Sequence, residues 1–176
     1  MQKNNVEKLN IPVKGKVSRE QAEDAVRTLL SYIGEDPLRE GIHQTPKRVV
    51  KSYEELYQGY QQNPVEVLSK TFEDVGGYDG MILLKDVAFE STCEHHMLPI
   101  VGTVHIAYIP NGRVVGISKL ARVVEIYSKR LQIQEKMTAQ IASTIEKALQ
   151  PKGVAVAIRA KHFCMVSRGV KKDSST

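Results

Sequence analysis

Between residues 18 and 34, Ala22, Ala25, Val26, Leu29, Leu30 and Ile33 recur at helical spacing and form one apolar stripe. Ser18 followed by Gln21 is a capping-box pair that predicts the start of this helix, and Gly34 predicts its end. A second helix is predicted from the Thr45-Pro46 cap and first-turn pair, through Val49, Val50, Tyr53, Leu56 and Tyr57, to Gly59. The connector 35–44 holds Pro37 and Gly41 and should be irregular. Beyond Gly76-Gly77 the period changes from helical to β. The stretches 81–90 and 100–109 read as strands, and Asn111-Gly112 predicts a hairpin leading into residues 113–116. Ser118 is then expected to cap a helix that buries Leu120, Val123, Val124 and Tyr127. A longer helix follows over 134–149, with Met137, Ile141, Ile145 and Ala148 on one face, stopped by Pro151 and Gly153. The alternation of 153–160 predicts a last strand that delivers His162 and Cys164 at or just past its end, on one face at period two.

Strands, a helix pair and a further strand describe an α+β domain. Three sections are expected: a loose polar arm over 1–17, a helical N-terminal section over 18–75 and a catalytic domain over 76–176. A chain of 176 residues is long enough for one well-buried core with a small appendage. No apolar run approaches the roughly 18–20 residues of a membrane span, and the polar start lacks the apolar core of a secretion signal. Two cysteines without such a signal read as reduced thiols, so the expectation is a soluble cytoplasmic protein with no membrane partner. The net charge of +5 suits an anionic partner. Nucleic acid is a poor match, because the basic residues are spread along the chain, aromatic residues make up 6% and Trp is absent.

The candidate chemistry is concentrated in two short segments. Cys93-Glu94-His95-His96 and His162-Phe163-Cys164 hold both cysteines and three of the five histidines. Zinc takes thiolate and imidazole ligands, and three protein ligands with one open position make a catalytic site rather than a structural one. Cys93 and Cys164 are the firm ligands. Spacing alone does not choose between His95 and His96 for the third, since neighbouring side chains diverge and one of the two is expected to bind. A histidine beside the metal but not on it is suited to proton transfer near neutral pH. A cationic cluster is the second candidate. Ser118, Lys119 and Arg122 fall in the first turn of a helix, where free N–H groups favour an anion and a bare cation opposes the dipole. Arg168, Lys171 and Lys172 add positive charge beyond Cys164. Third, Gln134-Glu135 opens the long helix. Its carboxylate either complements the helix dipole or accepts two N–H groups of a purine-type ring.

Taken in order, Cys93-Glu94-His95-His96, Ser118-Lys119-Leu120-Ala121-Arg122, Gln132-Ile133-Gln134-Glu135 and His162-Phe163-Cys164-Met165-Val166-Ser167-Arg168-Gly169 closely resemble GTP cyclohydrolase I. The likeness runs from Gly34-Glu35-Asp36-Pro37 and Thr45-Pro46-Lys47-Arg48-Val49 to Val170. It implies a zinc enzyme that opens the imidazole ring of GTP, releases formate and forms 7,8-dihydroneopterin triphosphate. Carried over by position, Cys93, His96 and Cys164 are the expected Zn2+ ligands, and His95 and His162 the proton-transfer residues. Glu135, with Gln134 beside it, is expected to hold the guanine. Lys119, Arg122 and Arg168 are expected on the triphosphate, with Ser118 by the ribose and Arg48 supplied from a neighbouring subunit. The implied fold is the tunnelling fold, an antiparallel sheet with a helix pair on one side, assembled as a homodecamer with active sites between subunits. The family continues beyond the basic segment with a strand rich in Thr and Ser, where this sequence reads Asp173-Ser174-Ser175-Thr176. Two rivals follow from the same residues: a related tunnelling-fold pterin or deazaguanine enzyme without zinc, and a non-catalytic binding protein stabilised by zinc.

Overall fold

The computed structural model describes residues 17–73 and 78–172. Most of the expected arm and the Asp173–Thr176 segment lie outside these residues. The chain forms two compact units, one ending at Glu54 and the other beginning at Glu55.

In the first unit, helix α1 spans Arg19–Tyr32. Its start is set by a complete capping box: Ser18 Oγ accepts from the Gln21 N–H at 3.2 Å, and Gln21 Oε1 accepts from the Ser18 N–H at 2.9 Å. Gly34, at φ +88°, takes the left-handed conformation that ends the helix. The apolar stripe of α1 is only partly covered within the chain: Ala22, Val26 and Leu30 are half-buried, whereas Leu29 is 62% and Ile33 72% exposed. Helix α2 covers Thr45–Leu56.

The second unit opens with a 3-10 turn at Gln58–Gln61 and a one-turn helix α3 at Pro64–Val67. Gly59 sits here because a Cβ would meet the Ile126 carbonyl oxygen at 2.0 Å. Arg130 fastens this turn by donating to the carbonyls of Gly59 at 2.9 Å and Gln62 at 3.1 Å, with its guanidinium over the rings of Tyr60 and Tyr127. Strand β1 is Thr71–Phe72, and the two long strands are β2, Ile82–Cys93, and β3, Pro99–Ile109. They are followed by β4 at Val114–Val115, α4 at Ile117–Ser128 and β5 at Leu131–Gln132. Helix α5 at Gln134–Leu149, β6 at Gly153–His162 and the single turn α6 at Phe163–Val166 complete the chain.

The main sheet runs β5-β2-β3-β6, antiparallel except for the short β2–β5 pairing. Alternation puts Phe89, Cys93, Ile100, Val104, Ile106 and Ala160 in one core with Leu120, Val123 and Val124 of α4 and Met137, Ile141 and Ile145 of α5. Tyr127 and Thr144 join the two helices through a buried hydroxyl–hydroxyl hydrogen bond of 2.7 Å. An α+β fold, with a mainly antiparallel sheet and a helix pair on its apolar face, is thus observed.

Four local expectations are corrected. Gly112, at φ +77°, does turn the chain, but the strand beyond it pairs with β1 and not with β3. The reason is that β3 is flanked on both sides by β2 and β6 and has no free edge; the Val115 N–H donates instead to the Tyr108 hydroxyl at 3.2 Å. Helix α4 starts two residues earlier than expected, with Gly116 at the cap and no side-chain capping bond, so Ser118 lies inside the first turn. Cys164 is not on the strand face with His162, because the chain turns helical at Phe163. The strand itself runs on to His162, two residues beyond the predicted end, because β3 pairs with it as far as Ile100↔His162.

Candidate metal centre

Strand β2 ends at Cys93, and the next residues form a tight turn. The Cys93 N–H donates to the Leu98 carbonyl and the Met97 N–H to the Cys93 carbonyl, each at 2.8 Å. Met97 adopts φ +54° to close the turn, a conformation costly for a residue with a Cβ. The turn is tied to β5 as the Glu94 N–H donates to the Gln132 carbonyl at 2.9 Å. Against it, β6 brings His162, and α6 brings Cys164. The ligand atoms of Cys93, His96 and Cys164 come to lie within 4.8 Å of one another, and His96 Nδ1 is 3.9 Å from Cys93 Sγ. Between the two histidines that spacing left open, the geometry places His96 in the cluster.

The donor set fits a metal ion. Burial pushes the Cys164 thiol above its ordinary pKa, and the adjacent Cys93 sulfur adds to the shift. Two sulfurs so close resist carrying charge together, and a cation between them removes that conflict. Three such donors among the described residues would leave one position of a tetrahedral ion for an exchangeable ligand.

A cavity of ≈ 480 Å³ opens beside the cluster, lined by His95, His162, Gln134 and Glu135 together with Cys93, His96 and Cys164. Gln134 holds His162 in place. Its Nε2 donates to the Ile158 carbonyl at 3.3 Å, which fixes the amide orientation, and its Oε1 lies 2.9 Å from His162 Nε2. The Nε2 of His162 therefore carries the proton, leaving Nδ1 as the acceptor of the neutral ring. Glu94, between the two cluster residues of the turn, accepts from Lys136 Nζ at 2.8 Å, and this contact holds its carboxyl below the usual range. Lys136 thereby ties the turn to the helix start that carries Glu135.

Arg168 reaches the cluster, with Nη1 3.1 Å from His96 Nε2. Ser118, Lys119 and Arg122 do not line this cavity. Arg122 lines a different one, of ≈ 610 Å³, with Gln58, Gln61, Gln62 and Glu66. Arg48 belongs to the first unit, on α2. The cavity wall also includes Gln132, to which no role was assigned from sequence. It is 1% exposed, donates from Nε2 to the Tyr127 carbonyl and to Gln140 Oε1 at 2.9 Å each, and leaves its own Oε1 unpartnered among the described residues. The signal available was a polar residue inside an otherwise apolar register, two positions before Gln134.

The family model for GTP cyclohydrolase I matches residues 22–176. The chain belongs to the GTP cyclohydrolase I family. A protein named GTP cyclohydrolase 1 from Allorhizobium ampelinum is 56% identical over 165 residues, covering 94% of this chain and 82% of that one. Another of the same name from Brucella suis is 58% identical over 161 residues, covering 92% of this chain and 76% of that one. Among solved structures, the archaeosine synthase QueF-Like in the apo form aligns with TM-score 0.45 at 21% identity, over 53% of this chain and 86% of that one. Membership of the GTP cyclohydrolase I family accounts for Cys, His, Gln and Glu converging on one cavity wall. Among the described residues no helix is long and apolar enough to cross a membrane.

Proposed function

We propose that the chain is a zinc-dependent GTP cyclohydrolase that opens the imidazole ring of GTP, releases formate and forms 7,8-dihydroneopterin triphosphate. One observation carries this: the Cys93, His96 and Cys164 ligand atoms converge within 4.8 Å on the wall of a cavity that His95, His162, Gln134 and Glu135 also line. Cys93, His96 and Cys164 would hold the zinc. When bound, it supplies Lewis-acid polarisation and activates water at neutral pH.

The remaining chemistry belongs to side chains. Glu135 accepts N–H groups of the guanine and fixes the ring over the cluster. A proton delivered by His95 to N7 makes C8 more electrophilic, and His162, with Nδ1 free, takes or returns a proton in the ribose rearrangement with Ser118. Gln134 acts by orienting His162. Arg168 at the cluster and Lys119, Arg122 and Arg48 elsewhere hold the triphosphate, so that remote binding energy positions the reacting carbon.

The placement of Arg122 on another cavity supports a site shared between subunits of a homo-oligomer, the decamer of the resemblance. Among the described residues β6 is the last strand of the sheet, and an edge strand is a ready pairing surface, which supports assembly as well. Residues 76–176 are taken as the catalytic domain, working in the cytoplasm. Three ligands in the cluster argue against a purely structural zinc, which usually takes four. The test is incubation with GTP, following formate and a fluorescent oxidised pterin, alongside zinc analysis. Formate in step with about one zinc per chain is expected; zinc-loaded protein that leaves GTP intact would sink the reading.

A further inference from the structure

Arg130 directs its guanidinium at the backbone of a neighbouring turn. Nε donates to the Gly59 carbonyl at 2.9 Å and Nη2 to the Gln62 carbonyl at 3.1 Å, while the guanidinium carbon lies 5.0 Å from the centre of the Tyr127 ring and 5.8 Å from that of Tyr60. The turn that receives these bonds is the single 3-10 turn Gln58–Gln61. Such short pieces have poor internal hydrogen-bond geometry and depend on support from outside; here the Gln62 N–H reaches the Gly59 carbonyl only at 3.4 Å. On its other side Arg130 is anchored in the sheet. Its own carbonyl accepts from Ser91 Oγ at 3.4 Å, and the next residue pairs with β2 as Thr92↔Leu131. With the sheet side fixed, the turn is the part that the guanidinium places.

That turn forms one wall of the ≈ 610 Å³ cavity that Arg122 lines, through Gln58, Gln61 and Gln62. Gly59 packs against Ile126, where a Cβ would lie 2.0 Å from the carbonyl oxygen, and Ile126 stands one turn along α4 from Arg122. The wall therefore rests on the helix face that carries Arg122. Arg122 is exposed and makes no ion pair among the described residues, although Glu66 and Glu125 line the same cavity. A long unpaired side chain loses rotamer freedom when it closes on a ligand, and a fixed wall beside it removes part of that loss beforehand. We propose that Arg130 is a positioning residue for polyphosphate binding: by fixing the Gly59–Gln62 turn it fixes the wall that holds Arg122 toward the phosphates of GTP. This rests on the reading of Arg122 as a ligand of the triphosphate. Arg130 touches no substrate and acts through the turn.

Arg130→Met removes both hydrogen bonds, and Arg130→Lys keeps a cation over the rings while reaching one carbonyl at most. Each is made alone and together with Arg122→Met, and the affinities for GTP and for guanosine are measured by calorimetry on zinc-loaded protein. Arg130→Met is expected to weaken GTP binding roughly 2- to 30-fold and to leave guanosine binding and zinc content unchanged. Should Arg130→Met fail to fold, Arg130→Lys carries the test, with GTP binding weakened in the same direction. In the Arg122→Met background either Arg130 variant should change GTP affinity by less than about twofold, since the side chain through which the turn acts is gone. Guanosine binding that falls as far as GTP binding, or losses that add across the cycle, would show a merely stabilising role and overturn the proposal. Wild-type GTP affinity in Arg122→Met or in Arg130→Lys would overturn it as well. Formate release from GTP by wild type separates this proposal from the reading it rests on. Turnover by wild type with undiminished GTP affinity in Arg130→Met removes the positioning role and leaves the function, whereas the expected cycle in GTP binding without formate removes the reaction and leaves the positioning of Arg122.

Discussion

Gly102→Ala tests how the sheet positions the metal centre. Gly102 of β3 pairs with Ala160 of β6, and a Cβ built there would lie 2.1 Å from the Arg159 carbonyl oxygen and 2.8 Å from Ala160 Cβ. An unstrained carbon–oxygen contact is about 3.3 Å, so the strands must separate by roughly 1.2 Å. The obstructing atoms are backbone and cannot rotate away. Forcing a methyl into such a place costs about 1–3 kcal/mol, offset by about 0.5–1 kcal/mol from removing a strand glycine. A net loss of ~1–2 kcal/mol lowers Tm by roughly 2–8 °C for a chain of this length. The functional effect should be larger than the stability effect, because β6 delivers His162 and, at the next turn, Cys164. Metal–ligand distances tolerate only about 0.2 Å, so zinc affinity is expected to fall roughly 10- to 100-fold. Gly153→Ala, at the start of the partner strand β6 and with nothing within 4 Å of its Cβ position, is the control and should leave both quantities unchanged. Thermal unfolding and chelator competition read the two effects. If Gly102→Ala matched Gly153→Ala in both, the claim that β3–β6 contact sets the ligand geometry would be wrong.

Cys164→Ala leaves two cluster ligands and is expected to reduce zinc from about one per chain to near none, abolishing formate release; elemental analysis showing full zinc would remove Cys164 from the ligand set. Glu135→Gln replaces the only cavity-lining carboxylate among the described residues with a neutral amide and should lower kcat/KM for GTP roughly 10- to 100-fold with normal zinc content. Steady-state kinetics check this, and wild-type kinetics would refute the role. The hydrogen bond from Lys136 holds the folded-state pKa of Glu94 below the ordinary carboxylate value. Its contribution to stability is therefore present above the unfolded pKa and is lost as pH falls through the folded one. Lys136→Met should accordingly be less stable than wild type at pH 7, with the gap in Tm closing as the pH falls through and below the ordinary carboxylate range; a gap independent of pH would exclude the ion pair as its cause.

What could be read from the sequence was local, and what could not was decided by long-range pairing. The capping box at Ser18 and Gln21 and the bounds of α5 are set within a few residues of themselves, so propensity and spacing sufficed. Asn111-Gly112 carried an equally clear turn signal, yet no hairpin forms, because β6, forty residues on, takes the edge of β3 that the hairpin would need. The metal cluster was legible from content: two segments held every cysteine. Spacing did not tell which histidine joined them and only the family resemblance named His96, since the choice depends on Met97 taking φ +54° and on the Cys93–Leu98 hydrogen bond that curls the turn. Gln132 and Lys136 were missed for the same reason. Their roles come from Tyr127, Gln140 and Glu94, contacts that exist only once the sheet and helices have met.

The cations pose a different problem, because the sequence located them and one chain does not unite them. Lys119 and Arg122 lie in the first two turns of α4, where the helix dipole is positive and no acidic residue occupies the first turn. Neither makes an ion pair among the described residues. Positive charge concentrated at a positive helix end is unfavourable unless an anion arrives from outside, so the position makes sense as a binding site and not as a stabilising one. Yet the Cys/His cavity of the same chain is not lined by them, whereas Arg168 touches its cluster directly. On the proposed reading, a triphosphate held at that cavity would meet Arg168 from its own chain, and the α4 cations would have to come from another copy of the chain.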